Sequence, residues 1–166
     1  MSMLELVPVP MGWFSWDFSI LQNGSPIAEI KCRSSWREKG TLAIGGSSYD
    51  VYREGLMSGQ FILELNGTRL VHAEKRSRYT RSFTVQHECK TYILKAESAL
   101  GGTFLLLEND QQIGSIRPAG VFTWKATVEL PDELPLPIKV FLLWLTVILW
   151  KRDYDYAIAA AIAAAG

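Results

Sequence analysis

A chain of 166 residues is the size of one domain and is long enough to bury a substantial core. Its 17 basic and 17 acidic residues cancel to a formal net charge of zero, which argues against a nucleic-acid-binding protein. The two cysteines, Cys32 and Cys89, and the two histidines, His72 and His87, show no metal-ligand spacing, so we expect no metal site and no cofactor. The first ten residues contain Glu5 and no basic segment, so we expect no signal peptide and a cytoplasmic protein.

The chain contains an internal repeat of 43 residues. Asn23-Gly24 and Asn66-Gly67 lie 43 positions apart and predict type I′ turns, which need positive φ at both central residues. The same spacing leads to Asn109-Asp110, a third predicted turn. Other residues repeat in this register: Phe18, Phe61 and Phe104; Ile27, Leu70 and Ile113; Ile30, Ala73 and Ile116; Leu42, Val85 and Val128; Tyr49 and Tyr92. A period shared by this many sets predicts three equivalent structural units.

Each unit is predicted to contain four strands, because aromatic and β-branched runs alternate with Gly, Asn, Asp and Ser. In chain order the predicted strands are 14–21, 26–31, 41–44, 48–53, 60–65, 69–75, 81–86, 91–96, 103–108, 112–117 and 121–129. The third unit has no fourth strand of its own. We expect the N-terminal segment 4–9 to supply it and to close the sheet on itself.

Residues 138–152, IKVFLLWLTVILWKR, are predicted to form a buried helix, because a helix that is apolar on every side is enclosed by protein or lipid. Twelve strands surround a lumen too wide to be filled by strand side chains alone, and a helix about 10–12 Å across fits it. Fifteen helical residues span about 22 Å, close to the roughly 23 Å rise of a seven-residue strand. We therefore predict an all-β fold with one central helix. It is a twelve-stranded closed antiparallel barrel of three four-stranded repeats, and it encloses the hydrophobic C-terminal helix.

Several details of this helix follow from its residues. Lys151 and Arg152 are expected in its last turn, where cations suit the helix dipole, and the Thr146 hydroxyl is expected to bond a carbonyl one turn back. The residues predicted to fill the barrel core from the helix are Phe141, Leu142, Trp144, Leu145 and Ile148. The tryptophans expected to pack the barrel and its helix are Trp13, Trp16, Trp124, Trp144 and Trp150.

Alternative folds fit the sequence less well. A propeller needs about four to eight blades, and three units are too few. A membrane anchor starting at Leu134 is the rival for the helix, but residues 134–150 include two prolines and Lys139 and fall short of the roughly 20 apolar residues of a span. We assign residues 1–152 to the barrel and residues 153–166 to an Ala-rich tail. For the tail, a helical extension, a flexible end and a weak packing surface all remain open.

Three four-stranded units followed by an apolar helix resemble the tubby C-terminal-like superfamily, which includes tubby proteins, phospholipid scramblases and plant LURP-one-related proteins. The match lies in Leu136-Pro137 leading into the apolar core of the helix, with Lys151-Arg152 behind, and it covers residues 13–152. The resemblance implies a twelve-stranded barrel around a C-terminal helix, and tubby members bind phosphoinositide headgroups on the barrel surface. The chain departs from the scramblase branch because it has no cysteine cluster for lipidation and only Asp153 and Asp155 near the helix. Scramblase activity and a calcium response are therefore not expected.

Two basic segments occupy the same place in successive repeats, between the second and third strands. The candidate anion- and lipid-binding residues in them are Lys31, Arg33, Arg37, Lys39, Lys75, Arg76, Arg78 and Arg81. Trp36 and Tyr79, again 43 positions apart, are the aromatic residues expected at an interface. Pseudo-symmetry would bring both segments to one rim. The simpler explanation of the charges is a solvated loop with ordinary surface charge.

No catalytic motif is present, so we predict that the chain is not an enzyme. His72 is expected to face outward or to make a structural hydrogen bond. Gly45-Gly46 and Gly101-Gly102 are predicted to be turns, because neither is followed by the Lys-Ser/Thr of a phosphate-binding loop.

The expected function is a non-enzymatic module that binds anionic phospholipid headgroups at a membrane surface through the basic rim. Basic residues near an anionic leaflet contribute about 1 kcal/mol each. A protein-interaction or structural module without a lipid role and a C-terminally membrane-anchored β domain are the alternatives. No nucleic-acid partner is expected.

Overall fold

The twelve strands form one closed antiparallel barrel. A computed structural model describes residues 1–9, 16–34, 37–77, 79–120 and 124–166. The strands are β1 (Ser2–Pro8), β2 (Phe18–Gln22), β3 (Ser25–Ser34), β4 (Lys39–Ile44), β5 (Ser47–Arg53), β6 (Gln60–Leu65), β7 (Thr68–Lys75), β8 (Ser82–His87), β9 (Lys90–Ala96), β10 (Phe104–Glu108), β11 (Gln111–Pro118) and β12 (Ala126–Leu130). Each strand pairs with its sequence neighbours, and a single helix, α1 (Leu136–Ala165), follows them.

The barrel closes through its N-terminal strand. β1 pairs with β2 on one side and with β12 on the other, with Leu4 opposite Val128 and Leu6 opposite Ile20. The prediction that the N-terminal segment supplies the missing strand is confirmed. Closure leaves the sheet without an edge, which removes unpaired backbone donors and acceptors.

The 43-residue repeat has a structural meaning. Each unit contributes one row of three buried residues that face one another across three strands: Phe18, Ile30 and Leu42; Phe61, Ala73 and Val85; Phe104, Ile116 and Val128. The bulges after Ile20, Leu63 and Leu106 follow the same spacing. Inward and outward side chains alternate along a strand, so equal spacing and equal register put equivalent residues on the inner face in every unit.

The predicted turns adopt the backbone that they require. Asn23 and Gly24 have φ of 52° and 78°, and Asn66 and Gly67 have 50° and 81°. The third turn has positive φ at Asn109 and Asp110, residue types that tolerate this conformation better than most.

The helix runs through the barrel. Every residue from Ile138 to Trp150 is buried, and Trp144 is in edge contact with Phe61 at a centroid distance of 6.0 Å. A Cβ at Gly40 would lie 2.7 Å from the Lys31 carbonyl oxygen and 3.3 Å from Trp144 Nε1, so this position beside the indole requires glycine. The Thr146 hydroxyl donates to the Leu142 carbonyl at 3.0 Å, as predicted.

The helix is longer than expected. It begins at Leu136, after Pro135, and continues to Ala165, so Lys151 and Arg152 do not lie in its last turn as predicted. They lie where the helix leaves the barrel, and residues 153–166 beyond them are exposed. Alanine has the highest helix propensity, and elongation from an existing helix is easier than nucleation. The tail therefore takes the helical alternative.

The two ends of the barrel differ. Five tight turns, at 23–24, 45–46, 66–67, 88–89 and 109–110, lie at one end, which we call the turn end and where the helix begins. The connections 9–17, 35–38, 54–59, 76–81, 97–103 and 119–125 lie at the other, the loop end, where the helix leaves the barrel. The helix enters the barrel instead of leaving it at Leu134, and no helix in the described part of the chain has the length and apolarity to cross a membrane.

Candidate functional site

Both predicted basic segments belong to the loop end. One joins β3 to β4 and the other joins β7 to β8, and antiparallel strands return every second connection to the same end. In the first segment Lys31, Arg33, Arg37 and Lys39 are exposed, and Lys31 forms a loose ion pair with Glu29 at 3.7 Å. Trp36 lies outside the described residues.

The second segment lines a cavity. Lys75, Arg76 and Arg81 face an open cavity of about 830 Å³ between the loop end and the outgoing helix, and Arg53 and Arg152 line it as well. Arg78 lies outside the described residues. Tyr79 does not line this cavity; its side chain is 87% exposed, and its backbone N–H donates to the Ser77 hydroxyl. The four basic residues of the first segment are not among the residues that line the cavity.

Glu38 holds two of the cavity arginines in place. Arg152 donates to it twice, from Nε to Oε2 at 2.8 Å and from Nη2 to Oε1 at 2.6 Å, and Arg53 Nη1 lies 3.0 Å from Oε1. The Glu38 side chain is only 9% exposed, so these bonds are poorly screened by water. One carboxylate is thus shared by two guanidinium groups, which leaves positive charge at the cavity wall.

Arg81 is anchored on the other side of the helix exit. Its Nη2 donates to Asp153 at 2.8 Å, and its Nη1 donates to the Gly101 carbonyl at 2.7 Å and to the Ser98 carbonyl at 3.2 Å. Its Nε is buried and has no hydrogen-bond partner among the described residues. The bonds from its two terminal nitrogens hold the guanidinium against the helix exit.

Three equivalent repeat positions each meet the helix where it leaves the barrel. Glu38, Arg81 and Trp124 are spaced by 43, and they contact Arg152, Asp153 and Trp150 in turn.

The Trp124 side of the exit is packed with aromatic rings. Trp16 lies 5.0 Å from Trp124 between ring centroids, and Tyr154 lies 5.8 Å from both. Two sides of the exit are thus ionic and the third is aromatic. This loss of threefold symmetry confines the basic cavity to the first two repeats.

Gly59 lies in the cavity wall where two chain segments approach closely. Gly59 is the repeat equivalent of Trp16, and it lines the cavity where the first unit has an indole. A Cβ at Gly59 would lie 2.6 Å from the Lys75 carbonyl oxygen, closer than a side chain can approach. The close contact of the two chain segments excludes any larger residue.

Burial in the cavity wall shifts the pKa of two charged residues, Lys75 and Asp153. Partial burial, together with the nearby Arg152 charge, lowers the pKa of Lys75 below its usual 10.5. Burial raises the pKa of Asp153 above its usual 3.8, although Arg81 opposes that shift. Both directions indicate that the cavity wall is partly removed from water, where a bound anion is attracted more strongly than at a fully solvated surface.

The structure also defines the surroundings of His72 and Cys32. His72 Nε2 shares a hydrogen bond with Gln60 Oε1, the structural bond predicted for it. Burial raises the pKa of the Cys32 thiol to about 12, with Asp17 adding to the shift, so the thiolate is scarce at neutral pH. No group of three or more His, Cys, Asp or Glu side chains in the described residues is arranged to hold a metal ion.

The sequence analysis missed two basic residues that line the cavity, Arg53 and Arg152, and the Glu38 carboxylate that pairs with both. Arg53 ends β5 and Arg152 belongs to the helix, so neither lies in a run of basic residues. The 43-residue spacing of Glu38 and Arg81 was a usable signal, because it marks two charged residues at one structural position.

No known protein family, curated protein or solved structure matches this chain. The resemblance to the tubby-like superfamily therefore stays a prediction. The function has to be argued from the cavity itself.

Proposed function

We propose that the chain is a non-enzymatic module that binds an anionic phospholipid headgroup at a membrane surface, with the loop-end cavity as the binding site. The observation that carries the proposal is the convergence of five basic side chains, Arg53, Lys75, Arg76, Arg81 and Arg152, on one cavity that contains only two carboxylates, Asp153 and Asp155. Guanidinium groups suit phosphate because their N–H donors match its oxygens in pairs.

The distribution of charge along the barrel axis supports the same orientation. Among the described residues the loop end has thirteen basic side chains: Lys31, Arg33, Arg37, Lys39, Arg53, Lys75, Arg76, Arg81, Lys95, Arg117, Lys125, Lys151 and Arg152. It has seven acidic ones: Asp17, Glu38, Glu54, Glu74, Glu97, Asp153 and Asp155. The turn end is acidic, with Glu88, Glu108, Asp110, Asp132 and Glu133 against Lys90 and Lys139. A neutral chain with this polarity turns its loop end toward an anionic surface.

The magnitude of the attraction is modest. A basic residue near an anionic leaflet contributes about 1 kcal/mol. The five basic residues of the cavity are offset by Asp153, Asp155 and the Glu38 carboxylate, so an excess of two positive charges supplies about 2 kcal/mol, roughly thirtyfold in partitioning. This energy suits reversible attachment to a surface. It falls as salt is added, because exposed charges are screened.

Vesicle sedimentation tests the proposal. The full chain should pellet with phosphatidylcholine vesicles that contain phosphatidylserine, and it should remain largely in the supernatant with phosphatidylcholine alone. Equal pelleting with the two kinds of vesicle would reject an anion-binding function. A stoichiometric protein partner with no vesicle binding would instead favour a protein-interaction module.

The repeat supplies a matched pair of variants. Arg76 and Arg33 are equivalent exposed residues, 43 positions apart, and only Arg76 lines the cavity. Arg76→Glu changes the charge by two and should weaken vesicle binding about thirtyfold, whereas Arg33→Glu should weaken it severalfold at most. Equal losses in the two variants would show that vesicles are bound by the whole basic rim that the sequence suggested, and not by the cavity.

A further inference from the structure

The loop end also concentrates the large apolar side chains that face solvent. Leu56 and Met57 lie in the β5–β6 loop, Tyr79 in the β7–β8 loop and Leu100 in the β9–β10 loop. Their side chains are strongly exposed, with 99% exposure at Leu100 and 87% at Met57. Three consecutive loops at one end of the barrel thus present apolar side chains to water. At the turn end, the exposed large apolar residues among the described ones are Met1 and Met3, which are 69% and 59% exposed.

The outgoing helix continues this apolar surface. Residues 157–165 are alanine and isoleucine only, and Ile158 and Ile162, four residues apart, lie on one face and are exposed. Ala159 still lines the cavity, so the cavity wall extends along the helix to that residue. Residues 160–165 project beyond it by about 9 Å at 1.5 Å per residue.

We propose that the loop end is a membrane-insertion surface: the tips at Leu56, Met57, Tyr79 and Leu100 and the helix segment 157–165 enter the interfacial region of a lipid bilayer. The proposal rests on the headgroup-binding function proposed above. It adds which side chains and which helix segment move from water into the bilayer. Isolated apolar residues are common on protein surfaces, but a set concentrated on consecutive loops at one end marks an interaction site.

A lipid bilayer is the partner that fits both components of this surface. The apolar tips share the loop end with a cavity that has an excess of positive charge, and Met57 lines that cavity. An anionic bilayer offers apolar chains below negative headgroups. The projection of about 9 Å matches the depth of about 5–10 Å at which apolar faces settle below the headgroups. The segment reaches this depth without needing to cross the membrane.

A fluorescent label placed at each end of the barrel in turn tests the orientation. Cys89 is exposed at the turn end, and the raised pKa of Cys32 makes its thiol slow to react, so a thiol-reactive NBD dye labels the native chain at Cys89. In a Cys89→Ser, Leu100→Cys chain the same dye reports from the loop end. The vesicles contain phosphatidylcholine, phosphatidylserine and a nitroxide-labelled lipid.

The dye at position 100 should brighten on vesicle binding and be quenched by the nitroxide, and the dye at position 89 should do neither. Bound protein whose position-100 dye stays in water would overturn the insertion and leave the headgroup site standing. The same response at both ends would also overturn it. Insertion that occurs equally into neutral vesicles would support this surface and reject the anion-binding function. Absence of binding to all vesicles would reject both.

A pair of substitutions measures the contribution of the apolar tips. Leu56→Ser with Leu100→Ser alters two exposed residues outside the cavity and should weaken vesicle binding about tenfold, because two apolar side chains lose their partial burial. Met3→Ser, at an exposed residue of the turn end, is the control and should leave binding unchanged. An unchanged affinity in the double variant would overturn the proposal.

Discussion

Arg152, on the helix, and Glu38, between β3 and β4, form a two-bond ion pair at the point where the helix leaves the barrel, with N–O distances of 2.6 and 2.8 Å. The pair fixes the helix to the first repeat. It also occupies a guanidinium that would otherwise be available to an anion. The same carboxylate therefore stabilises the fold and competes with any ligand of the cavity.

Glu38→Gln should separate these two effects. Loss of the carboxylate leaves Arg53 and Arg152 without a common counter-charge, so the free energy of unfolding should fall by about 2–3 kcal/mol. Affinity for anionic vesicles should rise, because two arginines lose their internal competitor. Urea denaturation and vesicle sedimentation measure the two quantities. Glu54→Gln, which breaks an exposed pair with Arg69, is the control and should change both only slightly; weaker vesicle binding in Glu38→Gln would contradict this account.

The buried part of the helix should be essential for folding, and the exposed part should not be. Leu143 is fully buried, and Leu143→Ala should cost about 3 kcal/mol of stability because it leaves a cavity in the core. Leu143→Asp should prevent folding, because an unpaired carboxylate would lie inside the barrel. Ile162→Ala, on the exposed segment of the same helix, should be nearly neutral. Circular dichroism under urea gives the comparison, and a folded barrel in Leu143→Asp would disprove the role of the helix as core.

Anion binding should depend on pH at both extremes. A bound anion favours protonated Lys75, so affinity should fall as pH rises through the lowered pKa of this lysine, below the usual 10.5. Affinity should rise as pH falls through the raised pKa of Asp153, because the neutral carboxyl no longer compensates the charge of Arg81. Sulfate is a suitable probe for calorimetry, since its charge stays constant over this range.

Two arginine substitutions test whether Lys75 causes the loss of anion affinity at high pH, the alkaline limb of the pH profile. Lys75→Arg should remove it, because a guanidinium stays charged. Lys95→Arg, at an exposed residue of β9, should keep it. A limb that persists in Lys75→Arg would show that another group titrates. The same shift affects folding: Lys75 loses its proton more readily in the folded state, so its burial opposes folding below the lowered pKa and the opposition fades above it.

Gly59 should tolerate no side chain. Gly59→Ala should destabilise the protein by about 2 kcal/mol, because its Cβ would lie 2.6 Å from a backbone carbonyl that has little freedom to move. In Gly101→Ala the new Cβ would lie 2.5 Å from the Ser98 hydroxyl oxygen instead. A side-chain hydroxyl can rotate away, so the loss of stability should be smaller. Thermal unfolding measures the loss of stability in each variant. If Gly59→Ala loses no more stability than Gly101→Ala, the backbone around Gly59 can move to accept a side chain.

Much of the fold follows from local pattern. The Asn-Gly pairs specify turns through the positive φ that they accept, and the 43-residue spacing of Phe18, Phe61 and Phe104 places equivalent residues on the inner face. The run 140–150, in which Thr146 is the one polar residue, forms a helix that is apolar on every side and requires an enclosure. Twelve strands provide one of suitable width. Strand existence, the closing role of the N-terminal segment and the position of the helix were therefore predictable.

The composition of the cavity was not predictable in the same way. Because the helix is apolar on every side, no amphipathic pattern specifies its rotation inside the barrel, and so the loop that faces Arg152 could not be deduced. Arg53, Lys75 and Arg152 lie on three separate elements, and barrel closure together with the rotation of the helix brings them to one cavity. Periodicity and turn chemistry act between near neighbours in sequence, whereas a site assembled from distant segments depends on packing, which only the folded chain defines.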